Sequence, residues 1–253
     1  MHSFHWSHLT YTEAEEALAE NPIGILPLGA IEPHGPHLPL NTDIIIAEGM
    51  SVRAARSLNE NGIRAYILPT IPFTTTEYAK GFAGAISIPQ DTAHRYFEQT
   101  LRALLQIGFG CIVIANAHLE PEHLKAIHLA QQNLGERILF PDITRRQFSA
   151  LLTEEFRKGE CHAGQFETSL VLCDAPELVR EHIQSELDDV PVSLSKEIRD
   201  GKKSFHEMGI NQAYFGYPRL ASAEEGENSF RVLASMLVYE VERFLKSQLR
   251  AQY

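Results

Sequence analysis

The sequence predicts an α/β fold, a mainly parallel sheet covered by helices on both faces. Short apolar runs alternate with helix-length stretches, the pattern of strands joined by crossover helices. Asn- and Gly-rich stop signals close those stretches. No internal repeat, low-complexity tract or linker divides the 253 residues, so one domain spanning 1–253 is expected.

The first buried strand is read at Gly24-Ile25-Leu26-Pro27-Leu28. A helix follows over 42–58, with Thr42 or Asp43 suited to cap it and Asn59-Glu60-Asn61-Gly62 to end it. Ala65-Tyr66-Ile67-Leu68 is a short strand. Residues 90–107 read as a helix ending at Gly108, with Leu101, Leu104 and Leu105 on one face. The next strand covers 111–115, and Pro121 opens a helix to Leu134 in the first turn, where its missing N–H costs nothing. A strand at 138–140 and helices over 147–158, 162–172 and 229–249 complete the pattern. In sheets of this kind, ligands bind beyond the carboxyl ends of the strands.

Composition narrows the function classes. With 22 Lys and Arg against 33 Asp and Glu, the formal net charge is -11, and neither nucleic acid nor an anionic membrane is an expected partner. The 3 cysteines (Cys111, Cys161, Cys173) are scattered without CxxC spacing, which excludes a disulfide framework or zinc ribbon and fits a reducing cytoplasm. Met1-His2-Ser3-Phe4-His5-Trp6 lacks the basic start and apolar core of a signal peptide. A cytoplasmic protein is expected.

Two mirrored clusters carry the chemistry. Glu32-Pro33-His34 follows the first strand and His118-Leu119-Glu120 follows the 111–115 strand. In extended backbone, residues i and i+2 point to the same side, so each strand end can aim one carboxylate and one imidazole at a common space. With Asp43 a short loop away, these are the oxygen and nitrogen donors of a two-metal hydrolytic site. Pro33, Pro36, Pro39 and Gly35 give the first loop a stiff, specific path. Asp43 is also suited to cap its helix, and Glu120 and Glu122 to complement a helix dipole.

A third cluster, Cys161-His162-Ala163-Gly164-Gln165-Phe166-Glu167-Thr168-Ser169, offers His162 as a general acid or base. Cys161 reads as a buried, inert thiol. His123 and His128 lie five apart, off the i, i+4 spacing of a helical metal pair, and read as surface or core residues. Gly81-Phe82-Ala83-Gly84 lacks the lysine and spacing of a phosphate loop, and no Gly-x-Ser-x-Gly elbow is present.

At these residues the chain resembles the creatininase (creatinine amidohydrolase) family. The family's first signature stands here as Leu26-Pro27-Leu28-Gly29-Ala30-Ile31-Glu32-Pro33-His34-Gly35-Pro36-His37-Leu38-Pro39-Leu40-Asn41-Thr42-Asp43. Further matches fall at Asn116 and His118, at His162 through Ser169, and more weakly at 81–84 and at Phe215-Gly216-Tyr217-Pro218. The resemblance implies a three-layer α/β/α domain and a homo-oligomer, commonly a hexamer. It implies two divalent ions per chain, zinc foremost with manganese or iron as alternatives. One would be held by Glu32, Asp43 and His118, the other by His34, Asp43 and Glu120, with Asp43 bridging.

By the same resemblance, a metal-bridging hydroxide attacks a small-molecule amide, His162 binds substrate and protonates the leaving nitrogen, and Glu120 joins the catalysis. Thr76 and Leu119 are the further expected substrate contacts. The expected reaction is hydrolysis of a non-peptide C–N amide bond, in a cyclic amide or a formamide. A deformylase of a pyrimidine nucleotide intermediate and a precursor-peptide peptidase are the alternatives within the family. Arg145, Arg146 and Lys80 are the cations a nucleotide could use. A non-catalytic metal- or ligand-binding protein is the alternative outside the enzyme class, but carboxylate-rich sites leave open positions where structural zinc sites are closed. The family's name-giving enzyme has a tyrosine where Leu119 stands and tryptophans in its pocket. The one tryptophan here is Trp6, so creatinine is not the expected substrate.

Overall fold

The computed structural model describes residues 4–251. The reading of Met1-His2-Ser3 and the outer limits of the domain expected over 1–253 fall outside the described residues. Helix α1 (Tyr11–Leu18) leads into strand β1 (Ile23–Leu28). Then follow α2 (Thr42–Glu60), β2 (Ala65–Ile67), α3 (Gln90–Ile107), β3 (Cys111–Asn116), α4 (Pro121–Leu134) and β4 (Ile138–Leu139). Beyond the last strand come α5 (Arg146–Ser149), α6 (Glu154–Lys158), α7 (Gln165–Asp174), α8 (Glu181–Gln184), α9 (Leu194–Arg199) and α10 (Ala223–Ala251).

The four strands are all parallel, in the order β2-β1-β3-β4. Their side chains alternate between two helix layers, as period-2 geometry requires. Ile23, Ile25, Ile67, Cys111, Val113 and Ala115 pack toward α2, α7 and α10. Leu26, Leu28, Ile112, Ile114 and Ile138 pack toward α3 and α4. This is the expected three-layer α/β/α architecture. Trp6 joins the α3/α4 side, its ring 5.5 Å from Tyr66 and 4.9 Å from Phe109. Among the described residues no helix is long and apolar enough to cross a membrane.

Several readings of the sequence change: the helix expected over 162–172 runs from Gln165 to Asp174, so that His162 lies before it, and α8 and α9 were not expected. The helix expected over 147–158 is two helices, because Thr153 caps α6, its hydroxyl accepting from Phe156 N at 3.4 Å, and that cap stops α5 from running on. The C-terminal helix begins at Ala223, six residues before the expected start, where Ser222 Oγ accepts from Glu225 N. Helix α1 was not expected. A capping box between Thr10 and Glu13 starts it.

The chain leaves β1 for β2 on one side, then crosses back to β3 on the other. The crevice beyond the ends of β1 and β3 is therefore the topological switch point, where such sheets bind ligands.

Candidate metal centre

Leu28 and Asn116, the last residues of β1 and β3, are register partners, so the loops carrying the two clusters leave the sheet side by side. Glu32 and His34 lie on the first loop, His118 and Glu120 on the second. Asp43 sits in the first turn of α2 and Glu167 in the first turn of α7. Gly29 makes the approach of α2 possible: a Cβ there would lie 2.8 Å from Ile44 N and 2.9 Å from the Asp43 carbonyl carbon. Gly35 turns the loop after His34 with a φ of +64°, which a side chain would strain.

Asp43 is the hinge of the geometry. Its Oδ1 lies 3.2 Å from His34 Nε2 and its Oδ2 lies 3.1 Å from His118 Nδ1. Glu32 Oε1 is 3.2 Å from His118 Nδ1, and Glu167 Oε2 is 3.6 Å from His34 Nε2. Two donor groups result, Glu32–Asp43–His118 and His34–Asp43–Glu167, each with its atoms within 4.8 Å of one another. A third group of that kind, Glu32–His34–His162, overlaps both. Every one of these side chains is buried.

The partners of the imidazoles assign their tautomers, since a carbonyl oxygen can only accept. His34 Nδ1 donates to Glu32 O at 3.1 Å, His118 Nε2 to Thr75 O at 2.9 Å, and His162 Nε2 to Pro33 O at 3.0 Å. Each ring thus turns its other nitrogen towards the carboxylates, where that nitrogen is bare when the ring is neutral and carries a proton when it is charged. Lone pairs facing lone pairs repel unless a cation stands between them. His34 Nε2 and Asp43 Oδ2 are buried with no hydrogen-bond partner among the described residues. The donor set fits divalent ions.

Neighbouring groups hold this arrangement. Thr76 Oγ1 donates to Glu32 Oε2. Ala163 N donates to Glu167 Oε2 at 2.6 Å. Asn116 Nδ2 donates to His118 O, while its Oδ1 accepts from His123 Nε2; His123 Nδ1 in turn accepts from Thr74 Oγ1, each at 2.6 Å. His123 is a satisfied core residue, kept neutral by burial and by the charge of His118.

The electrostatics follow from three buried carboxylates meeting three imidazoles. Burial alone would lower the His34 pKa, but Asp43, Glu167 and Glu32 outweigh it and push it up to about 10. Burial works against Asp43 as well, yet His34 and His118 hold its carboxyl well below the usual carboxylate range. Burial raises Glu167 to about 7. His162 goes the other way, lowered to about 4 by burial and then by the charge of His34.

The residues expected from the sequence are placed as follows. Glu32, His34, Asp43 and His118 converge. Glu120 does not join the His34 group. Its two oxygens accept from Glu77 N at 3.0 Å and Tyr78 N at 3.2 Å, and Glu167 stands in its expected place. Thr76 is fully buried behind Glu32 and does not line the cavity, because its hydroxyl is spent on that carboxylate. Leu119, Glu120 and His162 do line it. This cavity of about 50 Å³ has the donor groups on its floor and Tyr78, Leu119, Leu194, Ile198 and Phe205 as its walls. Cys161 also borders it, 3.9 Å from Glu167 Oε1, and burial pushes its thiol well above the usual range. The inert reading of Cys161 fits that environment.

The creatininase (creatinine amidohydrolase) family model matches residues 7–241. The mycofactocin precursor peptide peptidase of Mycobacterium tuberculosis (strain ATCC 25618 / H37Rv) is 27% identical over 242 residues, covering 89% of this chain and 86% of that protein. The creatinine amidohydrolase of Pseudomonas putida is 26% identical over 191 residues, covering 68% of this chain and 72% of its own. Solved structures of creatininase, one a manganese form and one a variant of Zn-Zn type, superpose with TM-scores of 0.69 and 0.70. Both are 20% identical and cover 96% of this chain and 99% of theirs. A family match over most of the chain joins the same fold and a convergent donor set at the switch point: the chain belongs to the creatininase family, whose members are hydrolases.

Proposed function

We propose that this chain is a dinuclear metal-dependent amidohydrolase that cleaves a non-peptide C–N amide bond, in a cyclic amide or a formamide. Asp43 carries this reading, because its two oxygens face two separate donor groups at 3.2 Å and 3.1 Å. A shared carboxylate is how two cations are held side by side. Glu32, Asp43 and His118 would hold one ion, and His34, Asp43 and Glu167 the other. Zinc suits these imidazole and carboxylate donors, with manganese or iron as alternatives. Bound there, the ions would polarise an amide carbonyl and lower the pKa of water towards neutrality.

The chain's own groups supply the rest. Burial raises the pKa of Glu120, against the pull of His118 and of the Glu77 and Tyr78 N–H groups, towards the range of a proton shuttle. Glu120 takes the proton of the attacking water and returns it to the leaving nitrogen. His162 has spent its N–H on Pro33 O, so it meets the substrate as an acceptor and orients an amide N–H. Proton delivery therefore passes from His162, its expected bearer, to Glu120. The apolar walls keep bulk water from the reacting atoms.

The walls also bear on substrate. No tryptophan lines the cavity and Leu119 is aliphatic, which argues against creatinine. No Lys or Arg lines it either. Lys80 pairs with Glu77 at 3.3 Å and Arg145 with Asp142 at 3.5 Å, both away from the cavity, so neither supports a nucleotide here. A peptide amide is the second reading. It is favoured by the name of the M. tuberculosis relative and by a second chamber that extends the cleft.

Elemental analysis of the purified protein is expected to find about two divalent ions per chain. Screening the zinc-loaded protein against cyclic ureides, lactams, formamides and short peptides is expected to find turnover in one of these classes. No turnover in any class would return the site to non-catalytic metal binding. A fully folded preparation that takes up no metal would refute the assignment itself.

Metal uptake is also expected to release protons. His34, at about 10, is protonated near neutrality in the metal-free protein and must give up that proton to ligate. Calorimetry in buffers of different ionisation enthalpy reads this directly. The raised pKa means that the metal-free cluster's stabilisation is complete below the ordinary histidine value of 6.5 and is lost as pH climbs to about 10. The melting-temperature gap between zinc-loaded and metal-free protein should therefore widen from neutral to alkaline pH. A gap independent of pH would show that His34 is not a ligand.

A further inference from the structure

A second chamber of about 300 Å³ adjoins the cavity, sharing Leu119, Cys161, Leu194 and Ile198 with it. Its other lining differs in character. Arg157 from α6 and Arg199 from α9 border it, with the hydroxyl groups of Thr144, Ser149 and Ser195, and no carboxylate does. In a chain of net charge -11, an acid-free space with two guanidinium groups stands apart from its surroundings.

The neighbouring acids form no ion pair with these arginines among the described residues, although Glu154 feels the charge of Arg157. Glu154 on α6 pairs with Lys158 at 2.7 Å, and Asp200, just past α9, pairs with Lys196 at 3.1 Å. Arg157 donates Nη1 to Leu152 O at 3.3 Å, and its side chain makes no other hydrogen bond or ion pair among the described residues. Both side chains are exposed and meet an incoming ligand from two different helices. Planar guanidinium forks bind carboxylate and phosphate oxygens in pairs, which a lysine cannot do.

We propose that this chamber is an anion subsite, and that the substrate is an amide whose far end carries a carboxylate or phosphate held by Arg157 and Arg199. The inference rests on the amidohydrolase reading of the inner cavity. The two spaces divide one elongated ligand: the scissile amide over the carboxylate-rich floor, the anion between the arginines. A spacer running past Leu119 and Ile198 joins them. The subsite selects substrates by their charge, where the inner cavity selects only for a small amide head.

The test measures binding of probes with one acetamide head to the zinc-loaded protein by calorimetry. N-acetyl-β-alanine, phosphorylated N-acetylethanolamine and N-acetyl-β-alaninamide end in a carboxylate, a phosphate and a neutral amide. The four-carbon acid 4-acetamidobutyrate and its amide repeat the comparison at a longer reach. At one of the two lengths at least, an anionic probe is expected to bind at least about tenfold more tightly than its neutral partner. That margin should vanish in Arg157→Ala/Arg199→Ala and shrink with added salt. Arg146→Ala, a nearby arginine outside the chamber, should leave it intact. Which anion gains more identifies the terminal group.

Equal affinities at both lengths would overturn the proposal. So would a margin that persists in the double variant, because the anion would then be bound by the metals. The outcome is separable from the proposed function. Absence of turnover in the amide screen with the margin present refutes the catalytic reading alone, and turnover without a margin refutes the subsite alone.

Discussion

Asp43→Asn is expected to strip both metal positions together, with turnover falling in step. The aspartate serves His34's side with one oxygen and His118's side with the other. An asparagine has a single oxygen, so in either flip its NH₂ must face one of the two groups. It also removes the charge shared by both positions. Changes in residues one step behind a ligand already cost about 10–100-fold in metal affinity. Loss of the shared ligand should exceed that, and metal content per chain after dialysis should approach zero. Retention of one ion would show that the two groups do not share Asp43. The buried site makes misfolding a competing outcome, so circular dichroism of the variant accompanies the metal analysis.

The second large effect separates two glutamates that look alike in sequence. Glu120→Gln should keep its metals and lose activity by about 10²–10⁴-fold, the usual contribution of a proton shuttle. Glu167→Gln should lose the ion of the His34 group while the Glu32 group stays loaded. Glu120 is held by two main-chain N–H donors away from the donor groups, whereas Glu167 lies 3.6 Å from His34 Nε2. Metal counts on the two variants, measured beside turnover, decide between them. The opposite pattern, with metal lost in Glu120→Gln and kept in Glu167→Gln, would restore the ligand set expected from the sequence.

That exchange marks where sequence reasoning reached its limit. Glu32, His34, Asp43 and His118 sit next to strand ends, and strand order alone brings strand ends together. Continuous apolar runs were enough to place β1 and β3, and a helical apolar face with Gly108 and Pro121 as end signals to place α3 and α4. Glu167 is different, because its position depends on how α7 packs against α2 and α10, which is a tertiary matter. One signal for it was present: an acid set among Phe166, Thr168, Ser169 and Leu170, all buried, in a helix start that has no solvent-facing turn to explain it. Thr76 was expected to meet the substrate because motif position does not say which way a hydroxyl turns. The chamber bordered by Arg157 and Arg199 was equally hidden. Its two arginines lie about forty residues apart, and α9, unlike the stretch holding α6, is too short for periodicity to detect.

The three imidazole anchors have a consequence for how such a protein can change. Because His34, His118 and His162 are each oriented by a main-chain oxygen, most substitutions elsewhere leave those oxygens where they are. The walls, by contrast, are side chains from unconnected stretches: Tyr78, Leu119, the short helix bearing Leu194 and Ile198, and Phe205. Reactive machinery and selective lining can thus be inherited independently. A lineage could exchange its preferred molecule many times over without ever retuning the atoms that break the bond.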